Sequence, residues 1–224
     1  DIPMTAGLGS SAAAAVAGLR TFEPVTQPLP EGVLLALATS LEGHADNAAA
    51  ALHGGLTSVI EREGDEPVAL RWQWPEDLRF VVATPSVGLS TSKARAALPD
   101  SLPRRDAVFN LQRVLTLVHA LQSGEYDLLR ESVRDRWHQR ARAALVPQLG
   151  EVLALDDPAI LASFLSGAGP SVALVARGDF ERLEQLLAST YERAACPVTI
   201  RRLTVHQSSD VARETVASAP GRNR

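Results

Sequence analysis

The sequence predicts an α+β protein made of two modules. Helical and strand-like segments alternate, yet several strands are joined by short polar or glycine-bearing turns, which signal hairpins rather than the long crossovers of a parallel sheet. Hydrophobic residues make up 46% of the chain with only 4% aromatic, so Ala, Val and Leu have to build the core. A break around Pro75–Asp77 divides the chain into residues 1–76 and 77–215, and a small, polar tail follows over 216–224.

The elements follow in order. Ser11 to Arg20 is helical, opening with alanines, the strongest helix formers. Pro24, Pro28 and Pro30 enforce an extended connection. Residues 31–42 carry apolar side chains at helical spacing, and Asp46 to Leu52 forms an Ala-rich helix stopped by Gly54-Gly55. Thr57 to Ile60 and Val68 to Trp74 are two strands of a hairpin around the polar residues 61–67. Arg79 to Thr84 is a buried strand. Residues 105–122 and 125–137 are predicted as two helices parted by Gly124, and 146–155 as a shorter one with Pro147 in its first turn. Ile160–Leu165 and Val172–Val175 are strands flanking a glycine loop. A helix over 179–194, a strand over Val198–Val205 and a frayed end from Ser218 complete the chain.

Composition narrows the function. Lys and Arg total 22 against 26 Asp and Glu, a net charge of −4, which argues against a nucleic-acid-covering protein. The single cysteine, Cys196, excludes an internal disulfide framework and a Cys-rich zinc site, and is most simply a small packing residue. No apolar run approaches the ~20 residues needed to cross a bilayer. A soluble cytoplasmic protein with no membrane partner is the expectation. The chain opens Asp1-Ile2-Pro3 without an initiator Met, and a glycine–serine loop follows almost at once. Such loops normally follow a strand, so an N-terminal portion is expected to be missing.

Three segments carry chemistry. In Pro3-Met4-Thr5-Ala6-Gly7-Leu8-Gly9-Ser10-Ser11-Ala12-Ala13, two glycines allow close backbone approach, and Ser10 or Ser11 caps a helix whose first amides form an anion site. A triphosphate fits there; a tight turn with a capped helix explains the same residues. No Lys follows the glycines, so this is not a Walker A loop. Glu42-Gly43-His44-Ala45-Asp46-Asn47 gathers two carboxylates, a histidine and an amide ahead of a helix. They suit Mg²⁺ ligation and the orienting of a hydroxyl, or ordinary helix capping. Ser166-Gly167-Ala168-Gly169-Pro170-Ser171 closes over a nucleotide or is simply a hairpin turn. Arg95, in Thr91-Ser92-Lys93-Ala94-Arg95, and Arg142, in His138-Gln139-Arg140-Ala141-Arg142, are candidates for gripping a carboxylate, or solvated helix-face charges.

Together these segments resemble the GHMP small-molecule kinases and, among them, the homoserine kinases. Pro3–Ala13 matches the phosphate-binding motif P-x-x-x-G-L-G-S-S-A-A, and Leu165–Ser171 matches the C-terminal glycine motif. Glu42–Asn47 is close to the E-G-H-x-D-N of homoserine kinases. Thr91–Arg95 with Leu98-Pro99, Phe109-Asn110-Leu111, and Asp135-Arg136 through Arg142 to Pro147 match further. The resemblance runs from residue 1 to about 205 in the family's order; the family's N-terminal motif has no counterpart.

The resemblance implies the remainder of a ribosomal-protein-S5-like domain followed by a ferredoxin-like one. It implies ATP and Mg²⁺ as cofactors, L-homoserine as substrate, O-phospho-L-homoserine as product and a place in threonine biosynthesis. Gly7, Leu8, Gly9, Ser10 and Ser11 would wrap the phosphates, with Gly167, Ala168 and Gly169 closing against them. Ser11 and Glu42 would ligate the metal. Asn47, with Asp46 beside it, would meet the substrate hydroxyl, and Arg95 and Arg142 would hold its carboxylate. Transfer tolerates the lack of a strong base, because its loose transition state depends mostly on positioning and charge stabilisation. A homodimer is compatible with this reading. Mevalonate or sugar specificity within the same family, or an ATP-binding regulatory relative without turnover, are the alternatives.

Overall fold

A computed structural model describes residues 2–22, 28–63 and 65–207. Pro24, Gly64 within the expected hairpin turn, and the expected tail lie outside the described residues. The chain divides into two compact units: the residues up to Ala14 with Pro75–Thr204, and Ala15–Trp74 with the segment from Val205.

The first unit centres on a four-stranded antiparallel sheet. Its strands are β3 (Arg79–Pro85), β4 (Ala162–Leu165), β5 (Val172–Ala176) and β6 (Val198–Leu203), in the order β4-β5-β3-β6. Between β3 and β4 lie α4 (Thr91–Ala96), α5 (Arg104–Ser123), α6 (Leu129–Ser132), α7 (His138–Arg142) and α8 (Leu149–Leu153); α9 (Phe180–Arg193) joins β5 to β6. The β-α-β-β-α-β path with β3 and β5 central is the ferredoxin-like arrangement. Register is fixed by alternation: Val81 and Ala83 of β3 oppose Leu174 and Val172 of β5, all four fully buried. These pack with Leu183, Leu187 and Tyr191 of α9 and Leu149 and Val152 of α8 in one core. The buried positions of α9 recur at helical spacing, which is why it docks by one face.

The second unit contains the C-terminal part of α1 (Ser10–Arg20), then α2 (Glu31–Glu42), α3 (Asp46–His53) and the hairpin β1 (Leu56–Ile60) and β2 (Val68–Trp72). Val16, Leu35, Ala38, Ala48 and Ala49 form its core. Gly43 ends α2 in the left-handed conformation with φ 79°, donating its N–H to Thr39 O at 2.7 Å. The Gln207 side chain brackets Trp74, accepting from its N–H at 2.9 Å and donating to its carbonyl at 3.0 Å.

Three local expectations need correction. The helix expected over 125–137 is a single 3₁₀ turn, Tyr126–Leu128, then the four residues of α6, after which the chain leaves helical form. The cause is Asp135: its Oδ2 accepts the backbone N–H groups of Trp137 and Gln139 at 3.0 and 2.7 Å, starting α7 anew. Pro147 stands outside α8, because Gln148 takes φ 58° before Leu149. Ser10 is inside α1 rather than capping it: Ala13 N–H donates to Gly9 O at 2.9 Å, which puts Gly9 at the cap.

Candidate active site

The glycine–serine loop and the glycine segment meet within the first unit. Ser166 Oγ donates to Gly7 O at 2.8 Å, and Ser171 N–H donates to Ala6 O at 3.2 Å. A methyl group on Gly7 would lie 2.3 Å from Ser166 O and 2.8 Å from both N and O of Gly169, all rigid backbone, and Gly7 holds φ +74°. Only glycine fits there. One on Gly167 would lie 3.2 Å from Gly7 O, so the two segments touch through bare backbone. Gly9 has φ +70° too, but a methyl there would meet nothing within 4 Å. The backbone beside the first turn of α1 is therefore open, as an anion approaching that turn's amides needs. Immediately before β5, Ser171 is fully buried, its Oγ 2.9 Å from Thr84 Oγ1 on β3, and this anchors the far end of the glycine segment.

Arg142 adjoins this cluster. It is only 8% exposed, unusual for arginine. Its Nε donates to Ala94 O at 3.0 Å, and its Nη1 donates to Gly167 O at 3.2 Å and lies 3.3 Å from His138 Nδ1. Burial pushes its pKa down, Asp135 draws it back up and Arg95 lowers it further. The guanidinium remains charged. Arg95, in the last turn of α4, is exposed and close enough to act on Arg142 electrostatically. Gln139 Oε1 accepts Leu165 N–H at 2.8 Å and its Nε2 donates to Val133 O at 3.0 Å, so α7 is pinned to the start of the glycine segment. Asp135 also accepts from Asn110 Nδ2 on α5 at 3.0 Å.

Glu42, Asp46 and Asn47 belong to the second unit. Glu42 is the half-buried last residue of α2. Asp46 and Asn47 open α3 and are exposed. Asp46 Oδ1 accepts from His44 Nδ1 at 2.8 Å and from Asn47 N–H at 2.7 Å. That oxygen is already committed to the start of α3.

Of the residues singled out from sequence, Gly7, Gly167 and Gly169 come into direct contact, with Leu8, Gly9, Ser10 and Ser11 continuing from Gly7 into α1 and Ala168 bridging the glycines of the other segment. Arg142 touches Gly167 and neighbours Arg95. His138 and Gln139 were given no role from sequence. The available signal for His138 was its four-residue spacing from Arg142, which puts both on one helix face.

The model for "GHMP kinases N terminal domain" matches residues 1–55, and that for "GHMP kinases C terminal" matches 117–193. A homoserine kinase of Moorella thermoacetica is 39% identical over 205 residues, covering 91% of this chain and 69% of its own length. One from Thermus thermophilus is 42% identical over 184 residues, covering 80% of this chain and 61% of its own. The chain thus spans roughly two thirds of these relatives. The crystal structure of a homoserine kinase from Cytophaga hutchinsonii superposes with a TM-score of 0.82 at 26% identity, over 92% of this chain and 68% of that one. An L. major mevalonate kinase shares the fold at a TM-score of 0.56 and 18% identity, over 89% of this chain and 67% of that one.

Proposed function

Because the chain belongs to the GHMP kinases and, within them, to the homoserine kinases, we propose that it carries the chemistry that transfers the γ-phosphoryl group of ATP to the side-chain hydroxyl of L-homoserine. The products are ADP and O-phospho-L-homoserine, in threonine biosynthesis. The observation that carries this reading is the seating of Gly7 against the 166–169 backbone with open space at Gly9 beside the first turn of α1. That is a pre-formed cradle for phosphate oxygens, and its cost is already met by the fold.

Gly7, Leu8, Gly9, Ser10 and Ser11 offer backbone donors to the phosphates, and Gly167, Ala168 and Gly169 support the loop from behind. Bound ATP supplies the phosphoryl group, and Mg²⁺ would neutralise its charge. No group of three or more His, Cys, Asp or Glu able to hold a metal occurs among the described residues. Mg²⁺ commonly takes one or two carboxylates together with phosphate oxygens, and Ser11 and Glu42 are the proposed protein ligands. Asn47 contacts the homoserine hydroxyl, and Asp46 sets the start of α3. Arg95 holds the carboxylate, with Arg142 adding the part of its guanidinium left uncommitted. No strong base is needed, since positioning and charge neutralisation dominate phosphoryl transfer. An ATP-consuming step of amino-acid synthesis fits the cytoplasm. Among the described residues, no helix is long and apolar enough to cross a membrane.

The test is ADP release from Mg-ATP with and without L-homoserine, using the complete product of the gene that encodes this chain. Homoserine-dependent release is expected. Release driven by mevalonate or a sugar but not by homoserine, or ATP binding with no release, would overturn the assignment.

A further inference from the structure

His138 lies one helical turn before Arg142 on α7, with its Nδ1 3.3 Å from Arg142 Nη1. A guanidinium has donors only, so the imidazole nitrogen here accepts. His138 is therefore the neutral tautomer with its proton on Nε2. The same guanidinium donates through Nε to Ala94 O and through Nη1 to Gly167 O. Those contacts occupy Nε–H and the two hydrogens of Nη1. Of the five N–H donors, the pair on Nη2 is left.

We propose that His138 is a positioning residue: by accepting from Nη1 it helps fix the rotation of the Arg142 guanidinium, so that Nε and Nη1 tie α4 to the glycine segment and Nη2 is left for the substrate carboxylate beside Arg95. This rests on the reading of the preceding subsection and extends it. Ala94, whose carbonyl receives Nε–H, is the residue before Arg95, so the orientation of one cation also fixes the backbone that presents the other. Gly167, which accepts from Nη1, packs against Gly7, so the carboxylate end of the proposed site is joined to the glycine–serine loop through one side chain.

The arrangement depends on pH in one direction. Burial pushes the His138 imidazole below its ordinary 6.5, Asp135 opposes this and Arg142 adds to it. Asp135 is itself committed to the N–H groups of Trp137 and Gln139 and to Asn110 Nδ2. At neutral pH the imidazole is uncharged and can accept. Acidification through the lowered pKa turns that acceptor into a donor facing a donor, and adds a cation beside Arg142, which already feels Arg95. The guanidinium then loses one of its three anchors and keeps those to Ala94 O and Gly167 O.

The test compares wild type, His138→Asn and His138→Phe in the complete gene product, measuring the homoserine KM, the ATP KM and kcat across pH. Asn keeps an acceptor near the Nδ1 position but does not titrate; Phe keeps the bulk and removes the acceptor. At neutral pH, His138→Phe is expected to raise the homoserine KM about tenfold, the scale of one hydrogen bond to a charged group, with a much smaller change in kcat. The wild-type homoserine KM should climb on acidification relative to His138→Asn, a difference that cancels the titration of the substrates themselves. An unchanged homoserine KM in His138→Phe, or superimposable pH profiles for wild type and His138→Asn, overturns the proposal. Should His138→Phe fail to fold, imidazole ¹⁵N shifts of the wild type decide: an unprotonated Nδ1 at neutral pH is expected, and a protonated one contradicts it. A wild-type protein that releases no ADP with homoserine contradicts the functional reading instead, and leaves the tautomer measurement to judge the His138–Arg142 contact.

Discussion

Ser166 donates its hydroxyl to the carbonyl of Gly7 at 2.8 Å, across 159 positions of sequence. Through this bond and the backbone packing around it, the C-terminal glycine segment sets the shape of the loop that opens α1.

Gly7 and Gly9 both have positive φ, yet their substitutions should differ. Gly7→Ala meets Ser166 O at 2.3 Å on top of its backbone penalty, whereas Gly9→Ala carries the backbone penalty alone. We expect about 1–2 kcal/mol for Gly9→Ala and roughly 2–4 kcal/mol for Gly7→Ala. Denaturant midpoints check the order, and equal losses would contradict the packing described.

Ser166→Ala removes one hydrogen bond to the loop and little else. A loss of about 1 kcal/mol, roughly fivefold in ATP KM, is expected with the homoserine KM nearly unchanged. Steady-state kinetics with each substrate varied in turn separates the two.

Arg95 and Arg142 should part company in a stability measurement. Arg95 is exposed, so Arg95→Ala is expected to raise the homoserine KM by roughly 10- to 150-fold with little change in unfolding. Arg142→Ala also removes the donor to Ala94 O and Gly167 O, and should destabilise the fold by about 2–4 kcal/mol as well. Unaltered homoserine kinetics in Arg95→Ala would remove that residue from the site.

Asn47→Ala should lower kcat roughly a hundredfold, the scale of a misplaced reacting group, with ATP binding retained. Normal turnover would end its proposed role.

Asp157 links the loop before β4 to α9: its carboxylate accepts from Arg182 and from Ala159 N–H, and the hydrogen bonds from Arg182, the largest influence, hold its pKa below the ordinary 3.8. The native state thus binds a proton less readily than the unfolded chain. The stabilisation is complete above the unfolded carboxylate's value and fades as pH falls through the depressed native one. Asp157→Asn should lower stability at neutral pH and flatten its decline in acid, as urea titrations at several pH values would reveal.

Much of this fold is legible in the sequence because its signals are local. The apolar runs of β3 and β5, the alanines of α1 and α3 and the stops at Gly54 and Gly124 each report their own element. The chain between 125 and 148 is not legible in that way. There Asp135 redirects backbone N–H groups that a helical pattern would have consumed, and Gln148 adopts a left-handed backbone that its residue type does not announce. The glycine–serine loop and the glycine segment are both visible as motifs, but that one packs on the other rests on hydrogen bonds from Ser166 to Gly7 and from Ser171 to Ala6, which join residues far apart in the chain. Arg142 illustrates the gap at the site. From its residues alone it reads equally as a carboxylate grip or a solvated charge, and only its burial between α4 and the glycine segment shows that most of its donors are spent within the protein.

The most direct measurement is the identity of the phosphorylated product. The complete gene product is incubated with Mg-ATP and L-homoserine, with R-mevalonate and a hexose in parallel, and each mixture is followed by ³¹P–¹H correlation. A phosphomonoester coupled to the side-chain CH₂–O protons of homoserine is expected, and none on the competing alcohols. A phosphomonoester on mevalonate or the sugar with homoserine untouched would contradict it.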